Sequence, residues 1–187
     1  MRLLPVTSAL LALAACHQPA AQQPQANQAA AADQGIKGVH RDAKGKPAPD
    51  AVFNGPDGKP VRLADFKGKP VLVNLWATWC APCVKELPTL DKLAEGKKMQ
   101  VVAVSQDDAP HASVVAFLKA HQIGTLEPYQ DPKMGLSGAL GPDTVLPTSI
   151  LIDSDGKEVW RYVGDLDWTS AEAARLLAEA RASSKAT

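Results

Sequence analysis

From about residue 47 onward the apolar positions fall into short runs with the periods of strands and helices, separated by glycine- and proline-rich punctuation. Val71-Leu72-Val73-Asn74-Leu75-Trp76 is nearly continuous and carries β-branched residues, the pattern of a strand buried on both faces, which places it at the centre of a sheet. Ala51–Phe53 and Val61–Leu63 are short strand candidates around the turn signal Asn54-Gly55-Pro56-Asp57-Gly58. Val101–Ser105 is a second buried strand and Ser149–Asp153 a third, followed by the turn Ser154-Asp155-Gly156 and a hairpin partner over Lys157–Val163. Three stretches have helical spacing. From Cys80 to about Glu95, Cys83, Leu87, Leu90 and Leu93 share a face, and Gly96 stops the helix. Pro88 inside it removes the bond to the Val84 carbonyl and predicts a kink. Asp108 is placed as the cap of a second helix through Pro110, Val114, Phe117, Leu118 and His121, ending at Gly124. The last helix opens on Thr169 and Glu172 in capping-box spacing and carries Ala173, Leu176, Leu177 and Ala180 on one face. Helices interleaved with strands, closed by a hairpin and a terminal helix, predict an α/β fold with a mixed central sheet flanked by helices.

The first 46 residues follow a different pattern. Met1-Arg2 is a minimal basic start, and the apolar run Leu3–Ala15 is too short to span a bilayer, so residues 1–15 read as a signal peptide. Its end, Leu13-Ala14-Ala15-Cys16, resembles the lipobox of bacterial lipoproteins and predicts lipidation of Cys16; the competing reading is an ordinary secretory signal with an incidental cysteine. Both readings export the mature chain, and the first anchors it in the periplasm to a bacterial membrane, inner or outer. The Ala/Gln/Pro-rich stretch that follows has almost no charge and no apolar period, so residues 16–46 are expected to form a flexible tether with a reach of roughly 30 Å. One domain is expected over 47–184. Twenty basic against twenty acidic residues give no net charge, so nothing in composition favours a nucleic-acid partner.

Cysteine usage narrows the chemistry. The chain has three, and with Cys16 assigned to lipid only Cys80 and Cys83 remain, with no third thiol for a structural bridge. They lie in Trp79-Cys80-Ala81-Pro82-Cys83, directly between the central strand and the first helix. A strand that delivers Cys80 to a helix N-terminus places it where unpaired N–H groups and the positive end of the helix dipole stabilise a thiolate. Cys83, one turn on, can close a bond with it. In an oxidising compartment this isolated pair reads as a redox-active disulfide, with Cys80 the exposed, reactive thiol and Cys83 the buried one.

Val71 to Pro88, read as V-L-V-N-L-W-A-T-W-C-A-P-C-V-K-E-L-P, resembles the thioredoxin-like proteins and is most similar to the membrane-tethered TlpA/ResA/CcmG group of thiol-disulfide oxidoreductases. Val145-Leu146-Pro147-Thr148-Ser149-Ile150-Leu151-Ile152-Asp153 resembles the cis-proline segment and strand of that family. The resemblance implies a thioredoxin-like fold and dithiol–disulfide exchange, in which Cys80 attacks a partner disulfide and Cys83 resolves the mixed disulfide. It implies a cis bond at Leu146-Pro147 that opens the Leu146 backbone for edge pairing with an extended substrate segment, and a docking surface shaped by Trp79 beside Cys80. Glu86 corresponds to an active-site acid/base of ResA-like members, for which partial burial and a raised pKa are expected; the competing reading is a solvated helix charge paired with lysines. Asn74 stands where thioredoxin has a buried aspartate, which removes one proton carrier and leaves Glu86 as the better candidate.

The same resemblance implies a monomer without cofactor that takes electrons from a membrane thiol transporter of the DsbD/CcdA type. Its substrates would be disulfides of exported proteins, as in cytochrome c or copper-site maturation. His111 and His121 are expected to be a first-turn surface residue and a helix C-terminal dipole partner rather than metal ligands. Two other chemistries are weighed. A thiol peroxidase of the peroxiredoxin type shares this fold but needs a Pro-x-x-x-Thr-x-x-Cys loop, which the residues before Cys80 do not supply. A copper-binding assembly factor would use Cys80 and Cys83 as soft ligands and lacks a third ligand nearby in sequence.

Overall fold

The computed structural model describes residues 37–142 and 144–183; the predicted signal peptide, Cys16 and most of the predicted tether lie outside the described residues. Eight strands form one mixed sheet in the order β1-β8-β7-β4-β5-β6-β2-β3. Its centre is β4 (Val71–Trp76), every residue of which is buried, as the apolar run requires. β5 (Gln100–Ser105) and β6 (Tyr129–Gln130) continue parallel to it on one side. β7 (Thr148–Ile152) pairs antiparallel on the other, followed by β8 (Glu158–Val163). The far edge is the hairpin β2 (Val52–Asn54) and β3 (Pro60–Arg62); Leu63, expected at the end of β3, instead opens a 3-10 turn over Leu63–Phe66. This is a thioredoxin-like α/β fold, the mixed sheet flanked by helices.

Two apolar layers hold the helices to the sheet. On one side α1 (Ala81–Glu95) buries Cys83, Leu87 and Leu90 with Leu72, Trp76 and Trp160, and α4 (Ala171–Ser183) adds Ala173, Leu176 and Ala180. On the other, Phe53, Val73, Leu75, Val104 and Ile150 pack with Leu136. Full burial of Leu87 and Leu90 contributes about 2 kcal/mol each, which keeps the dithiol helix seated on the sheet. Helix α1 runs through Pro88 to Glu95 without ending, because the apolar face continues past it.

Several local expectations are corrected. Asp108 does not cap the second helix: α2 (His111–Ala120) follows Pro110 with no side-chain cap and ends at His121, short of Gly124. The last helix is capped by Ser170, whose Oγ accepts the Ala173 N–H at 3.1 Å, while the Thr169 hydroxyl donates to Asp167 at 2.6 Å. A short helix, α3 (Gly135–Leu140), was not anticipated; the Asp131 carboxylate accepts the Gly135 and Leu136 N–H groups at its start. The folded unit also begins earlier than residue 47. Gly38–His40 forms β1, an edge strand paired with Val163, Tyr162 and Arg161, inside the segment expected to be tether.

Strands β4, β5 and β6 all end at the same edge of the sheet, where Trp76 lies opposite Ser105 and Ser105 opposite Gln130. The start of β7 reaches this edge too, Thr148 pairing with Leu75. That convergence positions the site.

Candidate active site

Cys80 is the N-cap of α1, in extended backbone conformation, and its carbonyl accepts the Val84 N–H at 3.0 Å. It is bonded to Cys83, with the two Cα atoms 5.2 Å apart, and its sulfur accepts the Cys83 N–H at 3.3 Å. Pro82 occupies the first turn, where its missing N–H is among those no helical carbonyl could accept. A helix N-terminus aimed at Sγ is the environment that stabilises a thiolate after reduction. Cys80 is 6 % exposed and Cys83 0 %, so the order of accessibility is as expected but Cys80 is buried rather than exposed, drawn with Ala77 and Cys83 into the core cluster. Trp79 extends outward instead, 66 % exposed, and Val145 is a second exposed apolar side chain on the segment before the proline.

The Leu146–Pro147 bond is cis, as the resemblance implied. Pro147 is buried, Leu146 half-buried, and the Pro147 carbonyl accepts the Gly164 N–H at 2.9 Å.

Glu86 lies one turn beyond Cys83 on α1 and is buried at 3 % exposure, which removes the reading of a solvated helix charge. Three donors converge on its carboxylate. Asn74 Nδ2 donates to Oε1 at 2.7 Å, the Leu166 N–H to Oε2 at 3.1 Å and the Trp168 indole N–H to Oε2 at 3.2 Å. The loop that supplies the last two is itself tied to α1, because the Thr89 hydroxyl donates to the Glu86 carbonyl at 2.8 Å and accepts the Trp168 N–H at 3.2 Å. Burial pushes the Glu86 pKa up to about 7 despite these bonds, which pull it down, and the negative charge of Asp165 adds to the rise. Asp165 in turn is ion-paired with Lys37 at 2.7 Å and Lys85 at 3.4 Å, which hold its own carboxyl below the usual range.

A second buried carboxylate supports the loop just before the cysteines. Asp107, 5 % exposed, accepts the Thr78 N–H at 3.0 Å, the Thr78 hydroxyl at 2.6 Å and the Ser105 hydroxyl at 2.7 Å. Trp76, next to it, passes its carbonyl to the Gln106 N–H at 2.8 Å. Sequence reasoning found none of Thr78, Asp107, Leu166 or Trp168. Only the polarity of Ser105-Gln106-Asp107 at the end of an apolar strand hinted at the first pair.

His111 and His121 make contacts of another kind. His111 Nε2 lies 3.2 Å from the Pro56 carbonyl, and His121 stacks on Phe117 with ring centroids 4.0 Å apart. His121 is the C-cap residue of α2, as the dipole argument placed it, whereas His111 is half-buried rather than a free surface residue.

Residues 43–177 match the Redoxin family. Among curated proteins, thiol-disulfide oxidoreductase ResA of Bacillus thuringiensis (strain Al Hakam) is 38 % identical over 122 residues, covering 65 % of this chain and 70 % of that protein. Thiol:disulfide interchange protein DsbE of Pseudomonas fluorescens biotype C is 37 % identical over 133 residues, covering 66 % and 68 %. Among solved structures, the exposed lipoprotein thioredoxin of Streptococcus pneumoniae superposes with a TM-score of 0.58 at 29 % identity, covering 70 % of this chain and 98 % of that one. No helix among the described residues is long and apolar enough to cross a membrane.

Proposed function

The chain belongs to the Redoxin family and is a thiol-disulfide oxidoreductase of the ResA/DsbE type, and on that premise we propose that it is a periplasmic reductant of disulfides in exported proteins, tethered to a bacterial membrane through Cys16. The observation that carries the catalytic part is the placement of one buried carboxylate, Glu86, a single helical turn beyond a Cys80–Cys83 bond at a helix N-terminus. In the reduced protein the Cys80 thiolate attacks a substrate disulfide, forming a mixed disulfide and releasing one substrate thiolate. Cys83 loses its proton and attacks Cys80 Sγ, which releases the second substrate thiolate and restores the Cys80–Cys83 bond. Two electrons pass from the dithiol to the substrate. Glu86 accepts the Cys83 proton, a role suited to a carboxyl that is about half protonated near neutral pH. Trp79 and the Leu146–Pro147 edge receive the extended substrate segment beside Cys80.

A membrane thiol transporter of the DsbD/CcdA type returns the pair to the dithiol, and the substrates include apocytochrome c or copper-site assembly factors. Support for the anchor is the Leu13-Ala14-Ala15-Cys16 sequence and the likeness to a pneumococcal lipoprotein thioredoxin. The reduction potential measured against glutathione tests the direction: a value near thioredoxin's, about −270 mV, is expected, and one near DsbA's, about −120 mV, would make the protein an oxidant. Cys16→Ser tests the anchor. The variant should leave the membrane fraction with its thiol chemistry intact, and its retention after a salt wash would overturn the lipid assignment.

A further inference from the structure

Asn74 is fully buried on β4 with its amide nitrogen on two oxygens at once, Glu86 Oε1 at 2.7 Å and Ser149 Oγ at 2.9 Å. Its Oδ1, equally buried, has no hydrogen-bond partner among the described residues. A carboxylate can only accept, so while Glu86 is ionised the amide nitrogen must face it, and Ser149 must accept as well. Oε2 already accepts from Leu166 and Trp168, so the proton of a neutral Glu86 is placed on Oε1, and the same nitrogen then faces an O–H. Half a turn of the amide about χ2 brings Oδ1 to the place of Nδ2. There its two lone pairs can accept both the Glu86 O–H and the Ser149 hydroxyl. Both contacts survive in either orientation, each leaving one amide atom without a bond.

We propose that Asn74 is a positioning residue that follows the proton on Glu86, donating to the carboxylate and, turned over, accepting from the acid. This deepens the reading of Glu86 as the proton carrier and rests on it for its consequence. A group that gives and takes a proton inside a core needs both its forms bonded there, and an amide can bond to both. An aspartate at position 74 would instead share one proton with Glu86, and with both groups ionised the two carboxylates would repel, so the pair would titrate together rather than Glu86 alone. The other ionisable groups facing this pocket leave the role to Asn74. Asp165 is held by Lys37 and Lys85, Tyr162 ionises only at high pH, and Cys80 and Cys83 are bonded to each other in the oxidised protein.

Neutron diffraction from the deuterated oxidised protein at pH 5 and pH 9 distinguishes the deuterated Asn74 Nδ2 from Oδ1 directly, with the Glu86 carboxyl carbon titrated by NMR to fix its protonation at each pH. The amide nitrogen should face Glu86 at pH 9 and the amide oxygen at pH 5; one orientation at both, with Glu86 titrating between them, overturns the proposal. In solution, Asn74→Leu should raise the Glu86 midpoint by about one unit, because the carboxylate loses a charge-assisted bond and the acid a weaker neutral one. An unchanged midpoint in the folded variant also overturns it. Neither readout involves thiol exchange, so a failure here is separable from a failure of the reductant reading.

Discussion

Glu86 and Asp107 are two buried carboxylates, each accepting from three donors, and they differ in what those donors are attached to. Asp107 is bonded to Thr78 and Ser105, the strand ends and the loop that delivers Cys80, and both Thr78 bonds pull on one residue. Glu86 is bonded to the Asn74 amide, and to two N–H groups of the Gly164–Trp168 segment, which lies some 80 residues away in sequence. The first carboxylate fixes backbone next to the nucleophile. The second lies buried beyond Cys83, where burial outweighs its three bonds and raises its pKa to about 7. The same number of hydrogen bonds thus holds backbone in place at Asp107 and, in the role proposed for Glu86, attends a group that exchanges a proton.

The sharpest way to break this contrast is to remove each carboxylate. Asp107→Ala strands three donors, the Thr78 N–H and hydroxyl partly buried and the Ser105 hydroxyl buried, and should cost about 3 kcal/mol, read as a lower urea midpoint. A loss below about 1 kcal/mol would mean that Asp107 does not fix the loop. Glu86 should behave in the opposite sense. Its folded pKa of about 7 lies above the ordinary glutamate value of 4.5, so between these values the folded state binds more protons than the unfolded one, and stability falls as pH rises. The loss across that window is up to roughly 3 kcal/mol. Unfolding of the oxidised protein at pH 5 and pH 8 should show it, and Glu86→Gln should abolish most of the difference.

Smaller effects sharpen the comparison. Trp168→Phe keeps the ring but removes the indole donor to Oε2, so the Glu86 midpoint should move up by less than one unit, visible in the same carboxyl titration. Thr78→Val breaks the 2.6 Å hydroxyl bond while leaving the N–H bond to Asp107. It should cost about 1 kcal/mol with no change in the Glu86 midpoint.

What the sequence made legible follows the same division. Local features with one strong cause were readable: the doubly buried β4 run, the dithiol at the helix start, the stop at Gly96, and Glu86 through its spacing from Cys83. The cis bond at Pro147 was readable only through family resemblance. Features made by distant segments were not. Gly38–His40 is three residues long with no apolar period, and it is a strand only because β8 offers an open edge. Helix α3 contains two glycines and forms under the cap of Asp131. Trp168 and Leu166 meet Glu86 across 82 and 80 residues, so no window along the chain connects them. Asp108, Thr169 and Ser170 show the limit of cap reasoning where several candidates adjoin, because the backbone path chooses among them.

The central claim is that Glu86 exchanges protons with the thiols, and the pH dependence of Cys80 alkylation in the reduced protein tests it most directly. Loss of the neighbouring negative charge in Glu86→Gln should make the Cys80 thiolate easier to form, lowering the midpoint of the rate profile, and should slow disulfide reduction. A profile identical to that of the unaltered protein would contradict the account and reduce the catalytic set to Cys80, Cys83 and the Pro147 edge.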